Sequence, residues 1–272
     1  MKLIRHTAVA LALTFAAIAA SASDLNCKGA APLESNVEEF RYSWRLRGGV
    51  RFIAGLMFPT TGVGNLRVEY PTASDRSIHS ELLITAPNGK RGGYYAYESQ
   101  MDATGAKTLM TYHGYAWGKK SRTERTIFDY VKRLARIRKQ TPEETENRVK
   151  KLPETDEEMR DILTAIHFLR QNAPTITKPM ETTIYSDGKE YPVIFKPGER
   201  RTFVISGQTT AARGFEIVDA PGGKKWPGGV KVWLSDDDRR IPFRIEIQQS
   251  VASLQLDLQS VEACAFLVAS KG

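Results

Sequence analysis

The sequence predicts a mainly β protein carrying a single amphipathic helix, and three observations predict it. Apolar and polar residues alternate with a period of two through most of the chain. Turn residues recur about every ten positions, and only residues 156–172 switch convincingly to helical spacing.

The elements follow in order. Phe40, Tyr42, Trp44 and Leu46 point one way while Arg41, Ser43, Arg45 and Arg47 point the other, a strand with an aromatic face and an arginine-rich face. Gly48-Gly49 turns the chain, and alternation resumes from Val50 to Phe58 until Pro59–Gly62 breaks it. Strands are expected at Leu66–Tyr70, Ile78–Thr85 and Leu109–Trp117, with Asn88-Gly89 as a turn signal between two of them. Residues 127–139 fit a helix with Ile127, Tyr130, Val131, Leu134 and Ile137 on one side. They fit equally two short strands, Thr126–Tyr130 and Leu134–Arg138, around a turn. Thr141–Pro153 is charged, carries two prolines and reads as a loop.

The acids Asp156, Glu157 and Glu158 then open the helix. Met159, Ile162, Leu163, Ile166 and Leu169 recur on one face, and Pro174 comes just past its end. A lone helix among strands needs an apolar surface, which the concave face of a strongly curved sheet supplies. Beyond it, Thr182–Ser186 and Tyr191–Lys196 flank an Asp187-Gly188 turn, and Pro197-Gly198 leads into Thr202–Ser206. Further strands are expected at Phe215–Val218, Val230–Leu234, Ile241–Ile247 and Leu254–Leu258.

The N-terminal residues predict export. Lys2 and Arg5 precede an almost continuous apolar run, Ala8–Ala20, and Ala20-Ser21-Ala22 places small residues where a signal peptidase reads. A secretory signal peptide over residues 1–22 is expected, cleaved after Ala22, with a single β-rich domain over residues 23–272 in the periplasm. Cys27 follows Asp24-Leu25-Asn26, a context unsuited to lipid attachment, and no other stretch has the apolar length to span a bilayer. In an oxidising compartment Cys27 and Cys264 are expected to form a disulfide. Closing so long a loop stabilises by about 5 kcal/mol on chain-entropy grounds. The leader holds two of the 39 basic residues and no acid, so the 31 acids leave the mature chain at +6. That charge suits anionic lipid headgroups, lipopolysaccharide or acidic glycans, and export disfavours nucleic acid.

Catalytic signatures do not emerge, so neither an enzyme nor a bound metal or cofactor is expected. His79, His113 and His167 lack metal-ligand spacing, no serine sits in a nucleophile elbow, and Gly62-Val63-Gly64 is no dinucleotide fingerprint. A carboxylate pair of the glycosidase kind need not be close in sequence and stays open. Asp236-Asp237-Asp238 lacks calcium-loop spacing and reads as a tight turn, with Arg239 and Arg240 as partners. The glycine-rich run Gly222–Gly229 reads as a hairpin loop, with anion binding as its alternative. Lys119–Lys139 is the densest basic region, either a solvated outer face or a binding patch. The aromatic set Phe40, Tyr42, Trp44, Phe52 and Phe58 either fills a core or lines a half-open barrel able to hold an acyl chain.

Three segments carry a family resemblance. They are Asp161-Ile162-Leu163-Thr164-Ala165-Ile166-His167-Phe168-Leu169-Arg170, the stretch from Tyr185 to Phe195, and the more specific run from Val232 to Glu246 that contains Ser235-Asp236-Asp237-Asp238-Arg239-Arg240-Ile241-Pro242-Phe243. Over about Phe128 to Ser260 the chain resembles an exported bacterial family known only as domain of unknown function 3108; over Phe40–Trp117 the likeness is looser. The resemblance implies a curved, incompletely closed antiparallel sheet, a half-barrel wrapped around the helix. That shape is similar to periplasmic lipoprotein carriers of the LolA and LolB type. It also favours the strand reading of Thr126–Arg138. It brings no activity, catalytic residue or cofactor.

The expected function is therefore that of a periplasmic, non-enzymatic protein that binds a lipid or other amphiphile, or supports the cell envelope, with Tyr42, Trp44, Phe52 and Phe58 as the ligand-binding residues. The alternative is a structural or interaction module that recruits a protein or anionic glycan through a basic patch at Arg133, Arg136 and Arg138.

Overall fold

A computed structural model describes residues 36–48, 60–86, 93–153, 158–186, 188–226, 228–248 and 253–263. Among them the first strands are β1 (Val37–Arg47), β2 (Thr61–Glu69), β3 (Ile78–Thr85), β4 (Gly93–Met101) and β5 (Thr108–Trp117). Next come β6 (Lys120–Asp129), β7 (Leu134–Gln140), β8 (Thr145–Lys151) and the short β9 (Met159–Arg160). After the helix α1 (Ile162–Asn172) follow β10 (Met180–Ser186), β11 (Lys189–Ile205), β12 (Gln208–Asp219), β13 (Gly229–Ser235), β14 (Pro242–Gln248) and β15 (Ser253–Ala263).

All fifteen strands join one sheet in the order β8-β7-β6-β5-β4-β3-β2-β1-β15-β14-β13-β12-β11-β10-β9. Every pairing is antiparallel except β9 with β10. The chain is thus two meanders stitched together where β1 pairs with β15. Among the described residues no ladder joins the edges β8 and β9, so the sheet is not closed into a barrel. Side chains bridge the gap instead. Lys150 Nζ on β8 lies 2.9 Å from Glu190 Oε1 on β11, and the Phe128 and Tyr185 rings meet edge-on at 4.8 Å.

The inward phase of most strands makes the core. Phe40, Tyr42, Leu66, Leu82, Phe195, Phe215, Val232, Phe243, Ile245 and Leu256 are buried in one cluster with Leu163, Ile166 and Leu169 of α1. Burial of such side chains at roughly 1.5–3 kcal/mol each is the main force holding the sheet around the helix. β10 is covered on both faces: Ile184 belongs to the main cluster, whereas Tyr185 joins a smaller one with Phe128, Ala135, Leu152 and Met159.

Both ends of α1 are anchored. Asp161 caps the N-terminus, its Oδ1 accepting from the Thr164 amide at 2.8 Å, and its own amide donates to Thr108 Oγ1. At the C-terminus the acid-rich turn between β13 and β14 reaches back: Arg240 Nη1 donates to the carbonyls of Arg170 and Gln171. These carbonyls lack partners within the helix, and a guanidinium also suits the negative end of the helix dipole. Arg213 does the same for the Ala173 and Ile176 carbonyls. Asp237 holds the turn itself, accepting from the amides of Arg239 and Arg240 and from Ser235 Oγ.

Several elements differ from the sequence expectation. α1 begins at Ile162 and not near residue 156, because Met159 and Arg160 pair with Thr183 and Ile184 and Asp161 has extended backbone. Thr141–Pro153 is not a loop: β8 occupies most of it, an exposed edge strand with no apolar face to betray it. Pro197-Gly198 does not end a strand; β11 runs through it with a register shift between Pro197 and Arg200, a place where a residue lacking an N–H costs no ladder bond. β4 was not expected at all. The strand reading of residues 126–138 holds, as β6 and β7. The expected strand at Val50–Phe58, the Asn88-Gly89 turn, the residues 1–22 and both cysteines, Cys27 and Cys264, lie outside the described residues.

The turn from β4 to β5 packs on the helix. There Gly105 has φ +68°, and a Cβ on it would fall 2.4 Å from His167 Cδ2. Gly105→Ala combines a strained left-handed backbone with a clash against a buried ring. It is expected to destabilise by about 2–3 kcal/mol, measured as a lower midpoint in urea at unchanged m-value.

Candidate functional site

The described residues form a partly open cavity of about 160 Å³ above the N-terminus of α1, with Tyr97, His113, Glu124, Asp161, Tyr185 and Trp226 among its walls. Strand register assembles one side of it. Tyr97, His113 and Glu124 are directly paired across β4, β5 and β6, and Ser99, Thr111 and Thr126 form the next row. Alternation turns both rows inward, since Ser99 reaches α1 through a 2.9 Å hydrogen bond to Thr164 Oγ1.

The floor is polar. Thr164 Oγ1 also lies 2.8 Å from Thr108 Oγ1. The Asp161 carboxyl sits over this group of hydroxyls, and burial raises its pKa above the ordinary carboxylate range. Hydrogen bonds from the Thr164 amide and the Ser99, Thr111 and Thr164 hydroxyls offset part of that. Glu124 is buried and accepts from Arg122 Nη2 at 2.7 Å.

The walls are aromatic. Tyr97 stacks on His113 at 4.7 Å between centroids with 10° between planes. Tyr185 faces the cavity from β10, its phenol pushed up to about 12 chiefly by burial. Trp226 closes the far side; its amide bonds to Asp219 Oδ1, which folds the glycine-rich loop inward. On the same strand phase as Tyr97 and His113, the half-buried rings of Tyr95, Tyr115 and Trp117 continue the aromatic surface, with Tyr95 5.2 Å from Trp117 and 5.8 Å from Tyr115.

Of the residues expected to bind a ligand, Tyr42 and Trp44 do not line this cavity. Tyr42 and Trp44 point inward and pack in the main cluster, and Trp44 also lines a second, more open cavity of about 330 Å³ beside Arg45, Thr61, Val63 and Asp257. Their polar atoms are bonded to carbonyls, Tyr42 Oη to Pro242 at 2.8 Å and Trp44 Nε1 to Thr85 at 2.7 Å. Phe52 and Phe58 fall outside the described residues. Of the expected basic patch, Arg136 and Arg138 share the exposed outer face of β7, whereas Arg133 sits in the β6–β7 turn and donates to the Pro153 carbonyl. His79 is a half-exposed strand residue bonded to Asp75 and Ser77. Asp236–Asp238 form the turn already described, and no group of three potential metal ligands occurs among the described residues.

Sequence reasoning missed Glu124, Asp161 and Tyr185 as neighbours because they come from three separate elements. One signal was present: Glu124 is an acid in the same phase as Thr126 and Phe128, which is the phase that faces in.

A family model described as "Protein of unknown function (DUF3108)" matches residues 51–259. Among solved structures, the chain is similar to a β-barrel-like protein of domain of unknown function DUF1849 from Brucella abortus. That alignment covers 84% of this chain and 98% of that one at 10% identity, with a TM-score of 0.54. At this identity the likeness concerns the fold alone. No curated protein matches the sequence.

Proposed function

The chain belongs to the DUF3108 family of proteins of unknown function, and on that premise we propose a non-enzymatic periplasmic binding protein whose cavity receives the polar end of a small amphiphile. The carrying observation is the pairing of a polar floor with aromatic walls inside a 160 Å³ space. That volume is roughly what admits a benzene-sized group and falls well short of an acyl chain. A longer apolar tail would lie outside the cavity, along Tyr95, Tyr115 and Trp117.

Binding is favoured over hydrolysis by how the acids are engaged. The Asp161 carboxyl is taken up by the helix cap and three hydroxyls, and Glu124 by Arg122. Both acids thus carry structural tasks, which supports a binding role. The leader pattern of residues 1–22 supports the compartment.

Native mass spectrometry of protein purified from the periplasm tests the reading. A retained small-molecule adduct is expected on the wild type and none on Thr126→Phe, which drives a ring into the cavity, with folding checked by circular dichroism. Ligand-free wild type, or an adduct equally retained by the variant, would overturn it.

A further inference from the structure

The outer face of β6, β7 and β8 is unlike the rest of the surface. Register places Ile127, Arg136 and Val149 in one row across the three strands, Arg125, Arg138 and Asn147 in the next, and Asp129, Leu134 and Lys151 in the one beyond. The turn after Asp129 then presents Val131 and Lys132. Val131 is 96% exposed, Val149 67% and Ile127 49%. They are three of the seven large hydrophobic side chains exposed among the described residues.

The charge on this face is one-sided. Among the described residues Lys132, Arg136, Arg138 and Lys151 enter no ion pair. Arg125 lies over the Tyr112 ring and feels Glu98 on β4. The acid within the face is Asp129, whose Oδ1 is occupied by the Lys132 amide; Glu143 and Glu144 stand in the β7–β8 turn at the opposite end. Cations spaced between exposed aliphatic side chains match an anionic bilayer surface, where guanidinium and ammonium groups meet phosphates while short apolar side chains enter the headgroup layer. A soluble polyanionic glycan would use the cations and gain nothing from Ile127, Val131 and Val149. The aliphatic residues therefore decide between the two.

We propose that the outer face of β6–β8, with the Val131 turn, docks the protein on a membrane surface rich in anionic phospholipid. The proposal is independent of what the cavity holds. Its test is co-sedimentation of the purified protein with phosphatidylcholine vesicles, with and without phosphatidylglycerol. Binding is expected only with phosphatidylglycerol and is expected to weaken as salt rises. The double variant Arg136→Glu, Arg138→Glu should lose at least tenfold in affinity. Val131→Ser with Val149→Thr, which keeps the charge, should lose severalfold. All four positions are exposed, and unchanged thermal unfolding verifies that the fold is kept; Arg136→Gln with Arg138→Gln repeats the charge arm more mildly. Equal binding to both vesicle types, or binding indifferent to the arginines, would overturn the proposal. So would capture on a heparin column as strong as vesicle binding and indifferent to the Val131→Ser, Val149→Thr change, which would assign the face to glycans.

Discussion

Replacing Arg170 by methionine is expected to cost about 3–5 kcal/mol of folding stability, the penalty for leaving a buried charge without its partner. In a domain of this size that lowers Tm by roughly 10 °C. The guanidinium is 1% exposed and grips Glu38 on β1 bidentately, Nη1 to Oε2 at 2.8 Å and Nη2 to Oε1 at 3.1 Å. Tyr70 Oη donates to the same carboxylate at 2.7 Å, and the Phe40 ring lies 5.2 Å below the guanidinium. Two further bonds, to the carbonyls of Arg239 and Arg240, tie the helix to the β13–β14 turn. With methionine in place, Glu38 remains buried at 3% exposure with only a phenol to answer it. The double variant Glu38→Leu, Arg170→Met removes both charges and is expected to recover a large part of the loss, though not the part owed to the two turn carbonyls. Urea unfolding of the single and double variants measures both. A single variant as stable as the wild type would show that the pair contributes nothing.

The second large effect concerns pH. His167 lies in α1 at 2% exposure, and among the described residues neither ring nitrogen has a hydrogen-bond partner. Burial, reinforced by the neighbouring positive charge of Arg170 and only partly offset by Asp102, brings its pKa down to about 3 from the usual 6.5. Unfolded chains then bind a proton that the folded protein refuses, so between those two values stability rises with pH. The fold is fully stable above about pH 6.5 as far as this group is concerned, and loses on the order of 4 kcal/mol as pH falls toward 3. His167→Leu is expected to flatten that slope in urea midpoints measured from pH 7 to 4. At neutral pH it should cost little, because it also removes two buried nitrogens that nothing satisfies. An unaltered slope in the variant would place the acid sensitivity in other groups.

How far the molecule was legible from residues alone follows from what each face must do. Strands with one dry face, such as β1, β3 and β14, announce themselves by alternation. β4 does not, because Tyr94, Tyr95 and Tyr97 spread aromatics over both faces and the inward Ser99 serves a polar floor. β8 has no dry face, since one side meets water and the other sends Lys150 across to Glu190. Hydrophobic periodicity has nothing to report at such an edge. The helix start was misplaced because Met159 keeps helical spacing while serving a second cluster from a strand. As for the cavity, its residue types were readable along the chain and its assembly was not, because the register between β4, β5 and β6 is a property of the sheet. The run Asp236-Asp237-Asp238-Arg239-Arg240 was recognisable as a turn, but its grip on the C-terminus of α1 depends on a fold partner some seventy residues away in sequence.

The seam between β1 and β15 carries a consequence for how this protein comes into being. The central pair of the sheet is made from the first and last strands of the described chain, with Glu39 opposite Ala263. Such pairing has the longest possible sequence separation, and high contact order slows folding. Until the final strand has emerged, β1 offers a raw edge studded with Phe40, Tyr42 and Trp44, and β14 offers another. A nascent or truncated polypeptide is thus exposed to sticking to its own kind.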